Sequence, residues 1–119
     1  MPRSILLVED DPTMLSLLKT FLQIEGYEVF LADAETWDCL LTQLEKKRPD
    51  LILLDVNLRY INGIEIIKKI RDHKDFNDIE VIMTSGIDYK DQCLKEGANR
   101  FILKSYMPDD FLTVLAGSH

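Results

Sequence analysis

The chain has 119 residues, 46% of them hydrophobic, which is enough for one core and fits a single domain over residues 1–119. Its net charge of -7 and pI near 4.7 exclude the clustered basic surface that holds nucleic acid. No apolar run can span a bilayer, no signal-peptide pattern opens the chain, and Cys39 and Cys93 sit in no disulfide or zinc spacing; a cytoplasmic protein with two reduced thiols and no membrane attachment is expected.

Ile5-Leu6-Leu7-Val8 is an unbroken apolar run, the pattern of a strand buried on both faces of a parallel sheet. It ends in the acids Glu9, Asp10 and Asp11. Asp11-Pro12 reads as an N-cap followed by proline at the first helical position. Met14, Leu18, Phe21 and Leu22 then recur at helical spacing, and Gly26 is placed to end that helix. Tyr27 to Leu31 is the second strand. Trp37, Leu40, Leu41 and Leu44 line the second helix; Lys46-Lys47-Arg48 suits its C-terminal dipole, and Pro49 stops it.

Leu51-Ile52-Leu53-Leu54 is the third strand and runs directly into Asp55. A loop through Gly63 follows. Asn62 with Glu65 resembles a capping box for a third helix carrying Ile66, Ile67 and Ile70. Ile79 to Thr84 is the fourth strand, leading into Ser85-Gly86. The fourth helix, near Tyr89 to Glu96, is mostly polar and is expected to be the least firmly packed; Gly97 ends it. Arg100 to Leu103 is a short fifth strand ending at Lys104. Pro108 opens a last helix with Phe111, Leu112 and Leu115.

Five alternations of strand and helix imply an α/β fold, a parallel sheet with helices on both faces. The flavodoxin-like doubly wound (βα)5 order 2-1-3-4-5 has its switch point between the first and third strands. In that order Glu9, Asp10 and Asp55 meet in one crevice. Carboxylates so gathered repel one another, so either their pKa values rise or a cation sits among them. Oxygen-only donors favour a hard ion such as Mg²⁺. Ser85 and Lys104 end the neighbouring strands. A hydroxyl, an ammonium and a metal ion around one carboxylate are what phosphoryl transfer needs, with Asp55 as the nucleophile.

The whole chain resembles the receiver domain of two-component response regulators. The matching residues are Val8-Glu9-Asp10-Asp11, Leu53-Leu54-Asp55 with Gly63 downstream, Val81 to Gly86, Gly97-Ala98 and Phe101-Ile102-Leu103-Lys104. The resemblance implies that Asp55 accepts a phosphoryl group from a histidine kinase or phosphotransfer protein. It implies that Glu9 and Asp10 hold Mg²⁺, with Asp55 and the Asn57 carbonyl as further ligands. It implies that Ser85 and Lys104 grip the phosphoryl oxygens, and that Ser85 and Phe101 switch the surface of helix 4, strand 5 and helix 5. That surface would serve an output partner, an effector domain or a weak dimer of an otherwise monomeric chain. The protein would catalyse only its own phosphorylation and dephosphorylation.

Two positions depart from the pattern. Arg59 stands where a proline is common, and Ser105 follows Lys104 where the family carries a proline in a cis peptide bond. A cis bond without proline costs ~3 kcal/mol, so a trans, differently placed loop is expected around Lys104. Two other functions remain open. A phosphatase of the haloacid-dehalogenase type also forms an aspartyl phosphate, but it wants a second Asp two residues on, where Asn57 stands. A pseudo-receiver would bind partners without phosphorylation; intact Glu9, Asp10, Asp55, Ser85 and Lys104 argue against it.

Overall fold

The computed structural model describes residues 3–106. The expected last helix, with Phe111, Leu112 and Leu115, lies outside them. Five parallel strands are β1 (Ser4–Val8), β2 (Glu28–Leu31), β3 (Leu51–Asp55), β4 (Glu80–Ser85) and β5 (Arg100–Leu103). They pair in the order β2-β1-β3-β4-β5, the flavodoxin-like order expected. Between them run α1 (Pro12–Ile24), α2 (Trp37–Lys47), α3 (Gly63–Asp72) and α4 (Lys90–Lys95).

The strands β1 and β3 are buried along their whole length, which is why their apolar runs do not alternate. Successive side chains nonetheless go to opposite faces. Ile5, Leu7, Leu51 and Leu53 pack with Leu18 and Leu22 of α1 on one face. Leu6, Val8, Ile52 and Leu54 pack with Leu40 and Leu44 of α2, Ile66, Ile67 and Ile70 of α3 and Cys93 of α4 on the other. The edge strand β2 is only half-buried. No helix among the described residues is long and apolar enough to cross a membrane.

The helix ends follow their sequence signals. Asp11 caps α1 by accepting from Thr13 N at 3.0 Å, with Pro12 next. Asn62 caps α3 by accepting from Ile64 N at 2.7 Å. The short α4 begins at Tyr89 with no side-chain cap, in keeping with its polar sequence. It ends through Gly97, whose φ of 111° lets Gly97 N reach Leu94 O and Ala98 N reach Cys93 O. His73 is half-buried, its ring 5.1 Å from that of Phe76.

Candidate functional site

Parallel strands place all their carboxyl ends along one edge. Along that edge β1 delivers Glu9 and Asp10, β3 delivers Asp55, β4 delivers Ser85 and β5 delivers Lys104. The pairing of β3 with β4 sets Asp55 beside Thr84, and Val56 N extends it by donating to Thr84 O at 2.9 Å. The loop after β3 then folds back onto its own start, where Gly63 N donates to Val56 O at 2.8 Å. A Cβ on Gly63 would lie 2.2 Å from Asp55 O and 2.9 Å from Val56 Cα, so only glycine permits this close approach.

Asp55 is 3% exposed and held through both oxygens. Oδ1 accepts from Asn57 N at 3.2 Å, and Oδ2 accepts from Lys104 Nζ at 3.0 Å. The same ammonium stands 2.8 Å from Glu9 Oε1 and forms an ion pair with it. Glu9 Oε2 accepts from Asp10 N at 3.2 Å. Lys104 therefore bridges the ends of β1 and β3. It does so from a 3-10 turn, Lys104–Tyr106, so Ser105 in place of proline does not keep the ammonium from Asp55.

Two buried acids around one ammonium leave an excess negative charge. Burial first, and the hydrogen bond and charge of Asp55 next, push the Glu9 carboxyl up to about 8, against the pull of Lys104. Burial opposes the charge on Lys104, but the hydrogen bonds and charges of Glu9 and Asp55 outweigh it and raise the ammonium above its ordinary range. A carboxyl held so far from its ordinary range marks a place where added positive charge would be welcome.

Asp10 is exposed, and its Oδ2 accepts from Arg59 N in the loop after β3. The three acids thus face one edge, but only Glu9 and Asp55 are joined there. Among the described residues no group of three such ligands is gathered for a metal ion. The donors themselves are oxygen only, namely the Glu9, Asp10 and Asp55 carboxylates and the Asn57 carbonyl, and that set fits a hard divalent cation. An open cleft of about 480 Å³ lies alongside, lined by Asp10, Asn57, Arg59 and Tyr60 among others.

Ser85 is fully buried, and its Oγ accepts from Asn57 Nδ2 at 3.0 Å and from Ile87 N at 3.1 Å. Phe101 of β5 pairs with Met83 of β4 and is half-buried against the core on the α2, α3 and α4 face. Sequence reasoning brought Glu9, Asp55, Ser85 and Lys104 to one edge correctly. It missed the side-chain bond from Asn57 to Ser85 and the capture of Asp10 by Arg59 N. The first had a signal in an amide two residues after a strand-end acid; the second is a backbone bond and has none.

The chain is similar to known proteins over almost its whole length. The family model described as the response regulator receiver domain matches residues 5–116. A chemotaxis protein CheY homolog of Campylobacter jejuni is 33% identical over 110 residues, covering 87% of this chain and 82% of that one. The nitrate/nitrite response regulator NarL of Escherichia coli is 30% identical over 115 residues, which is 96% of this chain but 53% of NarL. Among solved structures, the response regulator TrrA of Thermotoga maritima in complex with Mg²⁺-BeF superposes with a TM-score of 0.82 at 29% identity, covering 97% of each chain. With the parallel order 2-1-3-4-5 and acids at the ends of β1 and β3, these likenesses agree: the chain belongs to the response regulator receiver domain family of two-component signalling.

Proposed function

We propose that Asp55 is the phosphoacceptor of this receiver domain, charged by a histidine kinase or a phosphotransfer protein. The observation that carries the reading is a carboxylate 3% exposed at the end of the central strand, fixed by Asn57 N on one oxygen and Lys104 Nζ on the other. A nucleophile already fixed loses little freedom on attack. An Asp55 oxygen forms the bond to phosphorus as the donor's bond to phosphorus breaks. Lys104, within 3.0 Å of Asp55, is in reach of a phosphoryl oxygen there. Ser85 supplies a hydroxyl from the next strand.

Glu9, Asp10, Asp55 and the Asn57 carbonyl would hold Mg²⁺, which when bound neutralises charge on the phosphoryl oxygens. The TrrA neighbour, in complex with Mg²⁺-BeF, supports Mg²⁺ as the ion. Asp10 would exchange its bond with Arg59 N to take part. Ser85 and Phe101 are the proposed switch residues, reporting through α4 and β5 to an output partner, an effector domain or a weak dimer partner. On this reading the chain is a single receiver domain. Its only catalysis is its own phosphorylation and dephosphorylation.

Incubation with acetyl phosphate and Mg²⁺, read by intact mass, tests the reading. The chain gains the mass of one phosphoryl group; Asp55→Asn gains none. Asp10→Ala binds Mg²⁺ at least about tenfold more weakly by calorimetry, since a hard-ion site with few carboxylates depends on each. Equal phosphorylation of Asp55→Asn would sink the phosphoacceptor, and unchanged affinity in Asp10→Ala would sink the metal site.

A further inference from the structure

Ser85 accepts two hydrogen bonds that phosphoryl transfer does not itself require. Its Oγ is 0% exposed and takes Asn57 Nδ2 at 3.0 Å and Ile87 N at 3.1 Å. A hydroxyl has two acceptor lone pairs and one hydrogen. With both lone pairs occupied, Ser85 can act on any further group only as a donor. Ile87 N is local, two residues along the same loop. Asn57 comes from the other side of the crevice, where its own N donates to Asp55 Oδ1 at 3.2 Å. One residue therefore touches the carboxylate through its backbone and the hydroxyl through its side chain.

We infer that Asn57 is a positioning residue that acts through Ser85: by donating to Ser85 Oγ, its side-chain amide dedicates the Ser85 hydrogen to a phosphoryl oxygen carried on Asp55. The inference rests on Asp55 being the phosphoacceptor. Phosphoryl oxygens accept hydrogen bonds and are repelled by lone pairs. A serine with a vacant lone pair can turn that lone pair toward the phosphoryl group and give its hydrogen elsewhere. Filling both lone pairs from fixed donors removes that choice before the phosphoryl group arrives. A side chain at this position that only accepts would do the reverse and draw the Ser85 hydrogen to itself.

The variant Asn57→Asp has the same shape and, once ionised, accepts only. The wild type, Ser85→Ala, Asn57→Asp and the double variant are compared at saturating Mg²⁺, with initial rates from acetyl phosphate read by intact mass. Ser85→Ala slows the wild type about tenfold or more, the scale of a lost donor to developing charge. In the Asn57→Asp background, where the hydroxyl no longer serves the phosphoryl group, the same change has less than about a twofold effect. Equal slowing in both backgrounds overturns the inference alone, whereas a wild type that gains no mass overturns it together with the phosphoacceptor reading. A second readout needs no phosphorylation. Ser85→Ala shifts the side-chain amide resonances of Asn57 and speeds their exchange with solvent; resonances that stay in place overturn the inference as well.

Discussion

Two half-buried cations, Arg71 near the amino end of the sheet and Lys104 at its carboxyl end, are treated oppositely. At the amino end, Arg71 near the end of α3 meets only neutral acceptors. Its Nε donates to Gly97 O at 2.9 Å, Nη1 to Ile79 O at 2.6 Å and Asn77 O at 3.3 Å, and Nη2 to Asn99 Oδ1 at 2.9 Å. Asn99 Oδ1 also accepts from Val81 N at 2.8 Å, so the clamp is tied into β4. At the carboxyl end, Lys104 meets two carboxylates. Burial lowers the pKa of Arg71 while the charge of Asp78 opposes the shift; for Lys104 the neighbouring acids win and the pKa rises. Arg71 uses a planar fork to satisfy carbonyls that would otherwise be orphaned as chain enters β4 and β5. Lys104 balances charge that geometry has concentrated. The first arrangement is complete without any ligand. The second has an acid too many, and a phosphoryl group or a cation can change it.

Breaking the amino end should have the largest effect. Arg71→Ala strips a donor from three carbonyls and from Asn99, and we expect a loss of about 2–4 kcal/mol of unfolding free energy by chemical denaturation. Arg71→Lys recovers little, because an ammonium cannot span four separated acceptors. A loss under ~1 kcal/mol would mean that water replaces the clamp at no cost. Gly97→Ala is a milder probe of the same contact. The added Cβ would meet Arg71 Cγ at 2.9 Å on a backbone whose φ of 111° already disfavours alanine.

The carboxyl end is expected to answer to pH where the amino end does not. In the folded chain the Glu9 carboxyl lies at about 8, above the ordinary 4.5. Below the lower value both folded and unfolded chains hold the proton, and the contribution to stability is fully present. Between the two, only the folded chain keeps it, so stability falls as pH rises through this window and levels off above about 8. Without Mg²⁺ this decline belongs to Glu9. Glu9→Gln removes it, and saturating Mg²⁺ flattens it by favouring the ionised form. Denaturation curves at a series of pH values decide the matter. Identical slopes for wild type and Glu9→Gln would show that the crowding of acids around Lys104 is relieved in solution.

The same contrast shows what the sequence could reveal. The buried strands were legible because burial on both faces leaves an unbroken apolar run, as in Leu51 to Leu54. Their carboxyl-end acids were legible because topology alone brings Glu9 and Asp55 to one edge. The caps at Asp11 and Asn62 were legible because they are local. Arg71 was not, since four acceptors drawn from residues 77 to 99 leave no spacing pattern around position 71. Nor was the separation of Asp10 from Glu9 and Asp55. The competing donor is the Arg59 amide, and backbone donors are invisible in a string of side chains. Lys104 was legible as the end of β5, and although Ser105 led to the expectation of a differently placed loop, the 3-10 turn brings its ammonium to Asp55.

The smallest expected effect concerns the open side of the carboxyl end. An acyl phosphate on Asp55 is lost when water attacks in line, opposite the aspartyl oxygen. On the proposed reading Asn57 and Ile87, each two residues past a site residue, would flank that approach. Asn57 would favour hydrolysis by orienting a water, but its side-chain amide is engaged with Ser85 Oγ at 3.0 Å. Its capacity to direct a water is correspondingly reduced. Ile87 is anchored by its own N on Ser85 Oγ, while its side chain is 59% exposed and offers no polar atom to hold water. Cover by that branched side chain is then the main control over access. A side chain this exposed shields incompletely, so the change on removal is a few-fold, less than about 1 kcal/mol in the barrier. Ile87→Ala and Ile87→Glu should both shorten the lifetime of phosphorylated Asp55, followed by mass or Phos-tag gel after the phosphodonor is removed. Ile87→Glu should act more strongly, because a carboxylate both uncovers the site and can hold the attacking water. Equal or slower decay in both variants would mean that water reaches Asp55 from another side, and that the open end is guarded by the Asn57–Ser85 pair alone.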